Sequence, residues 1–202
     1  MKSKSLITAG ISTILLVALF IIVSPIFISH AGALANVYLY LSRIQVNVNG
    51  TANTVEYVLA IDTTQTIPTG GTITISFPDA DDGSWCRTAG ALTVTGVVTS
   101  AADLSTTNWD IDAVLPTTGT LSATCTQGSG GSSVDQIVIT NIDTLTAGTT
   151  YGVKIANGTS AGKIGTDDTT GDHEITVEAK SGATIDSSTF KVNLIANDTV
   201  VI

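Results

Sequence analysis

The chain has 202 residues, of which 12% are charged, and a formal net charge of −9; Ser, Thr, Gly and Asn fill the surface positions where a cytoplasmic protein usually carries Lys and Glu. Every acidic residue lies beyond residue 55, and from Asn36 onward 17 acidic residues stand against six basic ones, a formal charge of −11. Such a surface repels phosphate backbones and anionic headgroups, which excludes nucleic acid as a partner and confines membrane contact to the N-terminal segment.

The positive mean hydropathy comes largely from Leu6 to Ile28. Lys2 and Lys4 precede this apolar run, and Ala31-Gly-Ala-Leu-Ala35 follows it, the order of a charged region, a hydrophobic helix and a small-residue cleavage site. Ala33 and Ala35 suit the small pockets of a signal peptidase, and Pro25 ends the helix upstream, so cleavage before Asn36 is the first expectation. The stretch is also long enough to span a bilayer as an uncleaved anchor. A third reading is a pilin-like leader cut after Gly10, although Leu15 stands where bacterial type IV pilins usually carry Glu. In each case the chain divides into residues 1–35, a signal peptide or membrane anchor, and an exported domain over 36–202.

From Tyr38 the apolar period is two. Tyr38, Tyr40, Ile44, Val46 and Val48 are expected on one face, with Arg43, Gln45 and Asn47 on the other. The alternation returns in Val55-x-Tyr57-x-Leu59-x-Ile61, in Ile73, Ile75 and Phe77, in Trp109 to Leu115, in Ile137 and Ile139, in Tyr151 to Ile155, in Ile175 to Ala179, and in Phe190 to Leu194. Turn clusters at residues 68–71, 78–83, 128–131, 157–158 and 167–171 separate these runs. The pattern predicts nine or ten short strands, an all-β fold, and an antiparallel sandwich in preference to a barrel. The final residues, Asp198 to Ile202, keep a strand-forming composition, so either the last strand closes the sheet or the chain is the N-terminal part of a longer surface protein.

Cys86 and Cys125 are the only cysteines, and in an exported chain they are expected to form a disulfide. Trp85 and Trp109 carry two readings: packing beside the disulfide, or an exposed platform for stacking sugars. His173 is the single histidine of the exported part; no G-x-S-x-G elbow accompanies it, so no catalytic residue is assigned and the chain is read as non-enzymatic. One histidine and two bridged cysteines are too few to ligate zinc. Asp79, Asp81 and Asp82 in one Gly-containing loop, and Asp167, Asp168 and Asp172 in another, are candidate calcium ligands, with solvated turn carboxylates as the alternative. No other cofactor is expected.

Asn49, Asn157 and Asn197 begin glycosylation sequons. Leu115-Pro-Thr-Thr-Gly119 spells a sortase sorting signal, but its mid-chain place makes it a Pro-containing turn between strands.

The segment Thr66-Ile-Pro-Thr-Gly-Gly-Thr-Ile-Thr-Ile-Ser-Phe-Pro78 resembles a phrase common in immunoglobulin-like domains of prokaryotic surface proteins, where a glycine turn leads into an alternating strand. The Thr/Ser/Gly-rich acidic style behind a signal segment is also similar to adhesin, S-layer and pilus-associated modules. The resemblance implies interaction and structure, with other cell-surface proteins, copies of the chain itself, or glycans as partners. The leading expectation is an extracellular structural or adhesion module; a carbohydrate-binding sandwich and a pilin-like filament subunit are the alternatives.

Overall fold

Thr72-Ile-Thr-Ile-Ser76 shows in five residues why this chain forms strands. β-branched side chains are stiff at χ1 and fit the pleated surface, and alternating them puts isoleucine on one face and hydroxyls on the other. The computed structural model describes residues 32–46, 55–78, 85–98, 110–128, 134–157 and 162–196, and among them it contains eleven strands and no helix. In chain order they are β1 (Gly32–Ala33), β2 (Asn36–Leu41), β3 (Tyr57–Asp62), β4 (Thr72–Ser76), β5 (Gly90–Val97), β6 (Ala113–Val114), β7 (Thr117–Thr126), β8 (Gln136–Ile142), β9 (Thr150–Ala156), β10 (Gly171–Ser181) and β11 (Ala183–Leu194). The N-terminal hydrophobic helix and its cleavage at Gly10 fall outside the described residues.

The all-β expectation holds, while the sheet is mixed rather than purely antiparallel. The strands form one sheet in the order β1-β11-β10-β4-β8-β7-β5-β9-β3-β2, with β6 beside β9. β1 with β11 and β6 with β9 are parallel pairs. β5 joins the two halves: Gly90–Leu92 pair with β7, and Thr93–Val97 pair with β9. The sheet curls around one core to which both halves contribute, including Ile73, Ile75, Ile137, Ile139, Ile175 and Val177 from one and Tyr57, Leu59, Ile61, Val153 and Ile155 from the other. Each of these buried side chains contributes roughly 1.5–3 kcal/mol relative to exposure.

The two ends of the strand order belong to one segment. β1 and β2 are separated only by Leu34 and Ala35, a step of at most about 11 Å from Ala33 to Asn36. The amide of Leu34 donates to the carbonyl of Ser187 at 3.1 Å, and that of Ala35 to the carbonyl of Asp62 at 2.9 Å, so this short link ties the β11 edge to the β3 side of the sheet. Leu34 is buried in the main core. The larger compact unit spans Ala31–Ile202.

The predicted phase of β2 is corrected. Tyr38 and Tyr40 are the exposed face, at 42% and 43%, while Leu41 is buried and Val37 and Leu39 pack against the main core. Both faces of this strand are apolar, and the tyrosines, whose hydroxyls are compatible with water, take the outer one. Beside them, Val58 and Ala60, the cross-strand partners of Tyr40 and Tyr38, join Val97 and Ile111 in a second, small apolar cluster, so β3 carries apolar residues buried on both faces. The strand expected over Trp109 to Leu115 is reduced to β6; Trp109 lies outside the described residues.

Candidate functional site

Trp85 packs between the rings of Phe77 and His173. Its ring is wholly buried, stacked on Phe77 with centroids 4.9 Å apart and planes 14° apart, and met edge-on by His173 at 5.6 Å. Tyr57 also meets Phe77, with ring centroids 5.8 Å apart. The next residue, Cys86, forms the expected disulfide with Cys125, and both cysteines are fully buried. Trp85 therefore packs beside the disulfide, and the sugar-stacking reading is corrected for it: stacking needs an exposed ring face, and both faces are enclosed by protein. Its indole nitrogen has no acceptor among the described residues.

The segment around Cys86 is held by buried polar groups. Asp135, fully buried, accepts from the amide of Cys86 at 2.7 Å and from that of Gly128 at 2.7 Å. The amide of Arg87 donates to the carbonyl of Lys163 at 2.9 Å, and that of Gly165 to the carbonyl of Trp85 at 3.0 Å. Asn157 braces the same strip: its side-chain oxygen accepts from the amide of Ile164 at 2.7 Å, and its side-chain nitrogen donates to the carbonyl of Val55 at 3.2 Å. Because this amide is buried and bonded at both ends, Asn157 is corrected from a glycosylation site to a structural one; Asn49 and Asn197 lie outside the described residues.

The Tyr57 hydroxyl donates to the carbonyl of Gly165. Burial holds this phenol far above its ordinary range, with Arg87 opposing the shift and Asp135 adding to it. The folded protein keeps a proton that the unfolded chain releases near pH 10. Stability contributed here is present below that pH and falls as pH rises through it, by up to about 1.4 kcal/mol per pH unit. Tyr57→Phe is expected to lower stability by about 1 kcal/mol below pH 10 and to flatten the alkaline decline. Urea unfolding of both proteins across that range checks it; equal slopes would refute the assignment.

His173 is buried, and both ring nitrogens face oxygen atoms. Nδ1 lies 3.2 Å from the Asp167 carboxylate, and Nε2 lies 3.0 Å from the carbonyl of Thr169. A carbonyl oxygen only accepts, so Nε2 carries a hydrogen; the ring is clamped into the loop and presents no free nitrogen to activate a nucleophile. Asp167 also accepts from the amide and hydroxyl of Thr169, each at 3.1 Å. The Asp168 carboxyl is held above its usual range, first by a hydrogen bond to Asp167 and then by partial burial and the neighbouring charge. Asp172 accepts from the Asn193 side chain at 2.8 Å. The three candidate calcium ligands of this loop are thus engaged by protein groups, and no cluster of His, Cys, Asp or Glu able to hold a metal forms among the described residues. Asp79, Asp81 and Asp82 lie outside those residues.

Asp135, the hydroxyl bond of Tyr57 and the bracing role of Asn157 were not legible in advance. Asn157 before Gly158 reads as a turn, and nothing local to it or to Asp135 shows that the side chain points inward. No family model matches the chain, and no curated protein matches it.

Proposed function

We propose that the chain is exported and acts as a non-enzymatic structural or adhesion module outside the cell, built on an immunoglobulin-like sandwich and engaging other surface proteins or copies of itself. The observation that carries this reading is the buried Cys86–Cys125 disulfide at the centre of the Trp85 region. Such a bond forms and persists in oxidising compartments. The leader-like order of Lys2, Lys4 and the apolar run to Ile28 supports the same location.

Expression of the full chain in a bacterial host tests the reading, with thiol labelling of Cys86 and Cys125 before and after reduction and protease treatment of intact cells. The expected result is a labelling-resistant, oxidised protein accessible from outside. A reduced protein retained in the cytoplasm would overturn it.

A further inference from the structure

The segment 32–46 runs in the same direction as β11 and the residue just beyond it, side by side at two places. Gly32 and Ala33 pair in parallel with Asp186 and Ser187, and Gln45 pairs in parallel with Ile195. At the first place the amide of Leu34 donates to the carbonyl of Ser187 at 3.1 Å; at the second, Ile195 donates to Ile44 at 3.0 Å and accepts from Val46 at 2.9 Å. The side-chain amide of Gln45 adds a bond to the carbonyl of Ala196 at 3.3 Å.

Tension that enters on the N-terminal side of Gly32 and leaves beyond Ala196 loads these contacts in a particular way. In a parallel pair the chain enters one strand at its N-terminal end and leaves the other at its C-terminal end. The two strands are therefore pulled in opposite directions along their shared axis, and the bonds between them are strained together. An antiparallel hairpin pulled at its open end gives up its bonds one after another. We propose that the two parallel contacts form a mechanical clamp, which makes the domain a load-bearing link between its N-terminal and C-terminal sides.

The first contact is reinforced from behind. The Asp186 carboxylate, opposite Gly32, accepts from the amide and hydroxyl of Thr64 at 2.7 and 2.9 Å and from the amide and side chain of Gln65 at 3.0 and 3.2 Å. β11 is thereby tied to the loop after β3 at the point where β1 pulls on it. A Cβ at position 32 would collide with that carboxylate, so a glycine lets β1 lie directly against the reinforced spot. The clamp rests on strand direction and, at its first contact, on residues 32–34 staying attached after export; only the source of tension rests on the surface reading.

Constant-force spectroscopy on the full chain in detergent, with handles at its two ends, tests the proposal. The comparison inserts handle tags after the exposed residues Gly119, near the open end of β7, and Gly148, in the turn that follows β8; force between them opens the antiparallel β7–β8 pair from its open end and bypasses both parallel contacts. The wild-type chain is expected to survive at least about tenfold longer when pulled from its ends, because several bonds must break together. Leu34→Pro, which removes the donor to Ser187, is expected to shorten that lifetime by on the order of tenfold while changing the Gly119–Gly148 lifetime by no more than about twofold. Equal wild-type lifetimes in the two geometries would overturn the clamp whether or not the variant folds, and an equal fold-change from Leu34→Pro in both would reduce β1 to an ordinary structural strand. Either failure leaves the location of the protein untouched, since export is read by the labelling experiment.

Discussion

Replacing Cys86 and Cys125 together by alanine is expected to lower the unfolding free energy by about 4 kcal/mol, because the bond closes a loop of 39 residues and removing it frees the unfolded chain. Both sulfur atoms are buried, so the double variant also leaves a small void beside Trp85. The folded segment does not fall away, since Asp135 and the backbone bonds to Lys163 and Gly165 still hold residues 85–87. Guanidinium unfolding of the two proteins measures the effect. The midpoint should drop and the slope should rise, as the uncrosslinked unfolded chain exposes more surface. A loss under about 1 kcal/mol would show that the unfolded ensemble is restrained by something other than this bond.

The strands that were legible are those in which large β-branched residues alternate with polar ones. Ile73 and Ile75 in β4, Ile137 and Ile139 in β8, and Ile175 and Val177 in β10 are all fully buried, as their spacing implies. β5 and β7 were missed because their inward residues are small or interrupted: Leu92, Val94 and Gly96 in one, Leu121, Ala123 and Cys125 in the other. The Leu115 to Gly119 stretch illustrates the same limit. Pro116 does break the backbone pairing, but Thr117 already opens β7, which then runs through a register shift before Ser122. β2 was found with the wrong phase, since period two identifies a strand without saying which of two apolar faces is the inner one.

Long-range closure was not legible at all. Gly32 to Leu34 read as the small residues before a cleavage site, and only the fold places them against β11. Processing before Asn36 would delete β1 together with the buried Leu34. Export machinery reads the extended chain, whereas stability depends on what that chain later pairs with, and one short stretch here satisfies both descriptions. The candidate site divides along the same line. The disulfide followed from counting cysteines, while the buried carboxylates that organise the chain around it could be recognised only once their donors were in place.

Asp186 is the sharpest example. It is fully buried, and its two oxygens face only donors: the amide and hydroxyl of Thr64 and the amide and side chain of Gln65. Asp186→Asn keeps the size of the group but turns one acceptor into an NH₂ that must point at existing donors. Asp186→Ala removes both acceptors and strands two backbone N–H groups. Each orphaned donor costs about 1–3 kcal/mol, so both variants are expected to lose on the order of 3 kcal/mol, with alanine no milder than asparagine. Thr64→Ala, which removes one hydroxyl donor and leaves the carboxylate three partners, should lose only about 1 kcal/mol. Thermal or denaturant unfolding of the three variants orders them. If Asp186→Asn were as stable as the wild type, the carboxylate would not be the acceptor that holds the loop after β3 onto β11, and the reinforcement behind β1 would have to come from the packing of Leu34 alone.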